Sequence, residues 1–302
     1  MTSALNTALA VFTLCTLIQP RRRFYLTAHE WNYGNFEKTF KDFAAHSPCA
    51  IVKPSTETAA KYNVQVSLEE ASVSMKGHHA LLDINSGRNN RAHWRAIRTL
   101  PNNISIEEYF GKKSVVARAF LQPGKRILTL IRIMWEQLTK SHGMYAVVHI
   151  RKGDKINEFL ALASAGTYLS KLLQICREVS QCPRTVFLMC DGKITCDEFR
   201  TKAGGRFRIL DYSEGMKQVN DSWSRSSVLD REHDQHKFNS LPLWIREEAA
   251  TEMVVSMFLA ALADSVVCTY VSNICTLIAL LRGGEVDRNG VYSVDDSLWA
   301  ML

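Results

Sequence analysis

The residues best placed for chemistry lie between His149 and Lys155, directly after an apolar strand. This segment contains the imidazole of His149, the carboxylate of Asp154 and one glycine. Its cations are Arg151, Lys152 and Lys155. Buried parallel strands present polar side chains at their carboxyl ends, where open α/β sheets bind ligands. Several cations at such an edge create a positive field that suits a ligand with two phosphates. From these residues alone, a solvated strand-to-helix turn with a surface ion pair is an equally good interpretation.

The second half of the chain alternates between apolar runs and helical patterns. Continuous apolar runs separated by helices are typical of a parallel sheet covered on both faces, so the sequence predicts an α/β fold. The predicted strands span 145–150, 185–190, 206–210 and 265–269, and the predicted helices span about 165–179, 194–203, 247–263 and 272–282. The charged stretch from 221 to 248 is predicted to be a surface loop beside the ligand crevice.

The first half of the chain is less regular. The predicted elements are a helix at about 4–18, strands at about 23–27 and 50–52, an irregular polar region at 53–105 and a helix at 126–141. Gly143 follows the last of these helices as a helix stop. We therefore place a domain boundary after residue 142, which divides the chain into units 1–142 and 143–302.

The charge pattern narrows the class of ligand. The net charge of +7 and the isoelectric point near 9.0 permit an anionic ligand. The cations are dispersed, and Arg21-Arg22-Arg23 is the only run of three, which argues against nucleic acid as the main ligand. The apolar run Ala4–Ile18 is short for a bilayer span, and its cations follow it, which favours an amphipathic helix over a signal anchor.

The eight cysteines include no closely spaced pair typical of a zinc site. Four of them lie between residues 176 and 196 and could form one or two disulfides in a secretory compartment. Cys15, Cys190, Cys268 and Cys275 lie in apolar segments, which predicts small buried core residues. Cysteine usage therefore leaves the redox compartment open.

Three separated segments resemble the α1,6-fucosyltransferase family of GDP-fucose-dependent enzymes. The aromatic run Glu30–Phe40 is similar to a tryptophan-containing run after an early strand of that family. His149–Lys155 is similar to its histidine, arginine and aspartate motif, and Ala263–Cys275 is similar to a strand and helix that carry two cysteines. Smaller similarities lie at Ser222–Ser224, Tyr168 and Ser293–Asp296. The segments occur in the family's order over about residues 5–297.

The resemblance implies a glycosyltransferase of the GT-B type, with two Rossmann-like lobes built on parallel sheets. Residues 1–142 would form the acceptor-side lobe and residues 143–302 the nucleotide-sugar donor lobe. The implied donor is GDP-fucose, and the implied acceptor is a glycan or glycoprotein, with inversion at the fucose carbon and an α1,6 linkage to a GlcNAc-type sugar of an N-glycan. The resemblance further implies no metal or other cofactor and a place in the Golgi or another secretory lumen, and it is compatible with a homo-oligomer.

The chemistry of this transfer suits the segment after the first long strand. As the bond to fucose breaks, negative charge develops on the β-phosphate of GDP, and fixed cations stabilise this transition state more than the ground state. Arg151 can bind the phosphate with both guanidinium nitrogens, and Lys152 or Lys155 can add a point charge without magnesium. Asp154 would orient the cations, and His149 would lie near the base or the ribose.

The sequence departs from the family pattern at positions with assigned roles. The family's catalytic glutamate aligns with Phe159, so the neighbouring Glu158 is the candidate base. The guanine-reading aspartate aligns with Ser256, and Glu252, one helical turn away, is a candidate substitute. Asp191 is the acidic residue that remains of a family pair, and it is a candidate donor-binding residue.

Hydroxyl and aromatic residues complete the candidate site. Ser272 begins a predicted helix, where it can cap the helix or donate to a phosphate. Trp31, Tyr33 and Tyr168 are candidates for contact with the acceptor, and packing is the competing interpretation for each. The departures leave two alternatives open, namely a catalytically silent relative that binds nucleotide or glycan, and a transferase that uses another nucleotide sugar.

Overall fold

In the computed structural model, the described residues are 23–26, 50–52, 79–82, 106–140, 143–152, 163–219, 235–270, 272–283 and 290–295. They form two parallel sheets, and helices cover the larger one. The predicted first helix at about 4–18 lies outside the described residues, as does most of the region predicted to be irregular. The α/β fold class with helix-covered parallel sheets is confirmed.

The small sheet consists of β1 (Arg23–Leu26), β2 (Ala50–Val52) and β3 (His79–Leu82) in the order β2-β1-β3. All pairings are parallel, and Phe24 lies opposite Ile51 on one side and Ala80 on the other. The first two strands confirm the prediction. The third corrects it, because 53–105 was expected to be irregular throughout. Four residues within a polar region are too few to give a recognisable strand pattern in the sequence. The strand is defined by its pairing with β1.

The larger unit begins with two helices and continues through five strands. Its elements are α1 (Ile106–Phe120), α2 (Lys125–Thr139), β4 (Tyr145–Ile150), α3 (Ala165–Glu178), β5 (Thr185–Cys190), α4 (Lys193–Ala203), β6 (Arg208–Leu210), α5 (Tyr212–Val219), α6 (Gln235–Asn239), α7 (Leu243–Leu262), β7 (Ser265–Cys268), α8 (Asn273–Arg282) and β8 (Val291–Ser293).

The five strands run parallel in the order β6-β5-β4-β7-β8. From β4 the chain moves outward through β5 to β6, and it then returns to the other side of β4 to form β7 and β8. The direction of winding therefore reverses between β4 and β7. In open α/β sheets, ligands bind at the carboxyl ends of the strands beside such a reversal.

The helices form two layers on this sheet. Tyr145 and Val147 of β4 pack with residues of α1, α2, α7 and α8, whereas Ala146 and Val148 pack with residues of α3 and α4. This division follows from the alternation of side chains along a strand. Right-handed crossovers place helices on one face while the chain advances and on the other after it reverses. The strand order thus accounts for which helices share a layer.

Most predicted elements of the second half occur within two or three residues of their expected bounds. The main correction concerns the stretch 221–248, which was predicted to be a loop. Its last part holds the short α6 and the first turns of α7, which begins at Leu243 directly after Pro242. A proline directly before the helix costs it no hydrogen bond, because proline has no amide hydrogen and this position lies outside the helical ladder. Residues 220–234 lie outside the described residues.

The helices α1 and α2 belong with the larger sheet, although both precede the predicted boundary at residue 142. Ser114 of α1 donates a hydrogen bond of 2.6 Å to the Leu280 carbonyl of α8. Ile131 and Met134 of α2 join the same buried cluster as Val254 of α7. The division into lobes at residue 142 stays a prediction. Within the described residues, no helix combines the length and apolar character needed to cross a bilayer.

Candidate functional site

The carboxyl ends of β4 and β5 meet in a hydrogen-bonded ion pair. Arg151 directly follows β4, and its Nη1 lies 2.9 Å from Oδ2 of Asp191, which directly follows β5. The same Asp191 oxygen accepts the main-chain amide of Lys152 at 2.9 Å. The two side chains are only 15% and 8% exposed, so little water competes with the pair. The arginine is therefore held at the edge of the sheet before any ligand arrives.

The neighbouring cation points to a different partner. Lys152 Nζ lies 2.8 Å from Oε2 of Glu198 on α4, and this hydrogen bond lowers the pKa of the Glu198 carboxyl. The positive charge expected from Lys152 is thus paired with a carboxylate of the helix that follows β5. Arg151 and Lys152 both follow β4, but their side chains pair with different carboxylates.

His149 is the penultimate residue of β4 and is 3% exposed. By alternation along the strand, it belongs to the face of Tyr145 and Val147, which α7 and α8 cover. Burial, with a contribution from the charge of Arg151, lowers the pKa of the imidazole to about 3. Its Nδ1 is buried and accepts or donates no hydrogen bond among the described residues. A neutral ring nitrogen at this position can pair with a polar atom of a bound ligand.

Tyr168 on α3 supports the ion pair from the other face of the sheet. It is 1% exposed, and its hydroxyl forms a hydrogen bond with the main-chain amide of Arg151. Burial raises the pKa of the phenol, and the charges of Asp295 and Asp191 raise it further. One hydroxyl therefore lies close to both carboxylates. The structure places Tyr168 in the core beneath Arg151, and contact with an acceptor stays a prediction.

The carboxyl ends of β7 and β8 form the other side of the site. Asp295, two residues after β8, accepts the main-chain amide of Tyr270 at 3.0 Å and also accepts the Thr269 hydroxyl. Ser293 of β8 shares a further hydrogen bond with the same carboxylate. The loop after β7 is thereby fixed to the neighbouring strand end. Since β7 lies next to β4, this loop borders the edge that carries Arg151.

The helix α8 begins at this edge with Ser272 as its N-cap. Ser272 is 3% exposed, and its side chain makes no capping hydrogen bond, while its amide donates to the Thr269 carbonyl at 3.0 Å. The first amides of a helix have no acceptor within the helix, and the helix dipole adds partial positive charge there. A phosphate between Arg151 and this helix start would meet donors from both sides.

Two disulfides fix the helices that start at this edge. Cys190, the last residue of β5, is bonded to Cys196 in the first turn of α4. Cys268, the last residue of β7, is bonded to Cys275 in the first turn of α8. These bonds correct the prediction that Cys190, Cys268 and Cys275 are separate core residues. The sequence pattern identified their apolar surroundings but not their pairing.

A third disulfide joins Cys176 near the end of α3 to Cys182 in the loop before β5. It lies at the amino end of the sheet, away from Arg151. One or two disulfides were predicted among the cysteines between 176 and 196, and the structure contains both pairs there.

The two candidate residues for recognition of the guanine base, Ser256 and Glu252, both lie on α7. Ser256 is 5% exposed and packs into the layer that also covers His149. Glu252 lies close enough to Tyr212 for its charge to raise the pKa of that phenol, after burial as the larger cause. Glu252 therefore faces α5 at least in part. Base recognition by either residue stays a prediction.

Several predicted site residues fall outside the described part of the chain. These are Asp154, Lys155 and the candidate base Glu158, which follow β4 in the sequence, and Trp31 and Tyr33 in the N-terminal half. Among the described residues, no group of three or more histidine, cysteine or acidic side chains is arranged to hold a metal ion. The prediction that no metal is required stays untested.

Sequence reasoning did not find the bonds that organise the site. The role of Asp191 as the partner of Arg151, 40 residues away, appears only when β4 and β5 are adjacent. The hydrogen bond from the Thr269 hydroxyl to Asp295 was not predicted either, although Thr269 ends an apolar run and Ser293–Asp296 is one of the segments similar to the family motifs. A polar residue at the end of each parallel strand is the signal that could have linked them.

Comparisons with known proteins give structural similarity alone. No protein-family model matches the chain, and no curated protein matches it. Among solved structures, the apo form of POFUT1 aligns with a TM-score of 0.38 at 13% identity, covering 93% of this chain and 77% of that one. POFUT1 in complex with GDP aligns at 0.39 and 12%, covering 93% and 78%. POFUT1 in complex with GDP-fucose aligns at 0.38 and 12%, covering 93% and 77%.

Proposed function

We propose that the chain binds GDP-fucose at the carboxyl edge of its larger sheet and transfers fucose to a glycan acceptor. The observation that carries the proposal is Arg151, held by Asp191 at the point where the sheet reverses its winding and beside the strand that leads into α8. A fixed guanidinium and a helix start together suit a diphosphate. The choice of GDP-fucose over other nucleotide sugars rests on the resemblance of His149–Lys155 and Ala263–Cys275 to the fucosyltransferase motifs.

The transfer is a direct displacement. An acceptor hydroxyl oxygen bonds to the anomeric carbon of fucose while the bond from that carbon to the β-phosphate oxygen breaks, and GDP leaves with the electron pair. Arg151 stabilises the charge that develops on the phosphate, and the preorganised pair with Asp191 removes the cost of orienting it during the reaction. In this proposal cationic side chains supply the stabilisation that a metal gives in other transferases.

Glu158 is the proposed base, which takes the proton of the attacking hydroxyl and follows Lys155 by three residues in the sequence. The proposed acceptor is a GlcNAc-type sugar of an N-glycan, with an α1,6 linkage, in the Golgi or another secretory lumen. These details come from the motif resemblance. In this proposal the donor binds to the unit that contains β4–β8.

Thermal stability with nucleotides tests the donor site. A ligand that binds the folded state alone raises the melting temperature, so GDP should stabilise the chain more than UDP or ADP at equal concentration. Arg151→Lys should remove most of the shift, whereas Arg118→Ala, which removes an exposed arginine of α1, should keep it. No shift with any of the three nucleotides would overturn the donor site.

Turnover separates the enzyme from a silent relative. Release of GDP from GDP-fucose should require an N-glycan acceptor and should fall by about a hundredfold or more in Glu158→Gln. If GDP binds as expected but no acceptor supports release, the chain is a binding protein and the catalytic part of the proposal is wrong.

A further inference from the structure

A groove lies at the amino end of the larger sheet, away from Arg151. Its volume is about 550 Å³, and the residues that line it include Met144, Ser180, Gln181, Arg184, Arg206 and Phe207. We name it the strand-entry groove, because these residues directly precede or closely approach the starts of β4, β5 and β6. A strand rises about 3.3 Å per residue, so β4 alone separates the two ends of the sheet by roughly 20 Å.

The walls of the groove are fixed by covalent and main-chain bonds. The Cys176–Cys182 disulfide ties the wall after α3 to that helix. The amide of Arg208 donates to the Arg184 carbonyl at 2.8 Å, and the amide of Arg206 donates to the Ala203 carbonyl at 3.1 Å. The main chain at both arginines is therefore held by hydrogen bonds. The groove is formed in the absence of a ligand.

The charge of the groove is positive and uncompensated within the described part of the chain. Arg184 and Arg206 are both exposed, and neither forms an ion pair or a side-chain hydrogen bond with a described residue. By contrast, Arg151 and Arg200 elsewhere in the unit each pair with a carboxylate. Two guanidinium groups at one concavity match the oxygens of a sulfate, phosphate or carboxylate, each of which accepts paired hydrogen bonds from arginine.

Three of the residues that line the groove, Met144, Pro183 and Phe207, are apolar, and we name them the floor. Phe207 is 8% exposed, Pro183 is buried, and Met144 adds a flexible thioether side chain. Small-molecule sites combine such a floor with a few polar groups and have volumes of a few hundred to about a thousand Å³. A stable protein partner would need an interface of about 1,000 Å² or more, which exceeds what a concavity of this size provides. The dimensions therefore favour a small ligand over a macromolecule.

We propose that the strand-entry groove binds a small molecule that carries an oxyanion on an apolar or sugar-sized body. Arg184 and Arg206 hold the oxyanion, Phe207 and Met144 contact the body, and Ser180 and Gln181 supply neutral hydrogen-bonding groups. The site is separate from the donor site and does not depend on the proposed transfer reaction. Its ligand chemistry is shared by sulfated or phosphorylated aryl groups and by sulfated sugars.

Calorimetric titration of the full chain tests the proposal. The probes are phenyl sulfate, phenyl phosphate and N-acetylglucosamine 6-sulfate, with N-acetylglucosamine, inorganic sulfate and an oligoglutamate peptide for comparison. At least one of the first three should bind, and the double variant Arg184→Ala/Arg206→Ala should weaken that binding by about tenfold or more. The pair Arg118→Ala/Arg177→Ala removes two exposed arginines that do not line the groove, and it should leave binding within about twofold of the parent.

Four outcomes would overturn the proposal. Failure of all three probes removes the site, and equal weakening in both double variants shows a general charge effect. If inorganic sulfate binds as tightly as the organic probes, the apolar floor does not contribute to binding. Tighter binding of the oligoglutamate peptide assigns the groove to a protein partner. Circular dichroism of both double variants confirms that any loss of binding occurs in folded protein.

Discussion

Arg151 and Lys152 share one acceptor, because Oδ2 of Asp191 lies 2.9 Å from the guanidinium of the first and 2.9 Å from the main-chain amide of the second. The carboxylate therefore fixes both the side chain and the backbone where β4 ends. A ligand that meets this edge finds the cation already oriented, so binding does not have to order it.

We expect the pair to be coupled in stability. Arg151→Ala leaves the Asp191 carboxylate, whose side chain is 8% exposed, without its guanidinium, which should lower the free energy of unfolding by about 3 kcal/mol. The double variant Arg151→Ala/Asp191→Ala should lose less than the sum of the single losses, by about 1–3 kcal/mol. Urea denaturation of the four proteins measures the coupling, and strict additivity would show that the pair does not stabilise the fold.

The disulfide at the start of α8 should affect nucleotide binding. Replacing Cys268 and Cys275 by alanine releases the first turn of the helix from the end of β7, which should weaken GDP binding by about threefold to tenfold. The matched control replaces Cys176 and Cys182, whose disulfide lies at the other end of the sheet. GDP titration of both variants decides the matter, and equal weakening would attribute the effect to overall stability.

His149 should make stability depend on pH below its ordinary pKa. Burial lowers the imidazole pKa to about 3 in the folded state, while the unfolded chain titrates near 6.5. Between these values the unfolded state binds the extra proton, so the free energy of unfolding should fall by up to about 1.4 kcal/mol per pH unit as pH drops from 6.5. Denaturation at pH 7, 6 and 5 should give a shallower fall for His149→Gln, and a slope equal to the parent's would contradict the burial of a neutral ring.

Lys113 should produce a second dependence at higher pH. It is fully buried on α1 near the Phe110 ring, its Nζ has no hydrogen-bond partner among the described residues, and burial lowers its pKa to about 7. The unfolded state holds the extra proton above pH 7, so stability should rise with pH toward 10 by up to about 1.4 kcal/mol per unit.

The neighbouring residue provides the control for this prediction. Lys113→Met should be more stable than the parent at pH 7 and should lose the rise between pH 7 and 9, measured by urea denaturation. Lys112→Met removes an exposed lysine that pairs with Glu108, and it should keep the rise. A rise of equal slope in Lys113→Met would show that the amine is not the titrating group.

The sequence predicted the framework of the larger sheet well. Its two longest strands, Tyr145–Ile150 and Thr185–Cys190, are buried and mostly apolar, so their positions follow from local composition. Helix α1 was missed because Lys113, together with Gly111, interrupts its apolar pattern at a position that is buried in the structure. A buried lysine is rare, and local pattern does not reveal it.

The sequence predicted that cations follow a strand end, but it did not predict the partner of each cation. The cations after β4 identify the edge of the sheet, since polar residues at a strand end are visible in sequence. The partner of each cation depends on which strands and helices become neighbours, as the pairs Arg151–Asp191 and Lys152–Glu198 show. The cysteines gave a similar result, because apolar surroundings suit both a core thiol and a buried disulfide.

Three disulfides among the described residues join cysteines at nearly equal distances along the chain, with separations of 6, 6 and 7 residues. In the chain-entropy account, loops of similar length restrict the unfolded ensemble to a similar extent, by about 2 kcal/mol each. Replacing both cysteines of any one disulfide by alanine should then lower the free energy of unfolding by a similar amount. Differences in ligand affinity among these variants would then depend on where each disulfide lies on the sheet. The three variants therefore allow the amino and carboxyl ends of the larger sheet to be compared at nearly equal loss of stability.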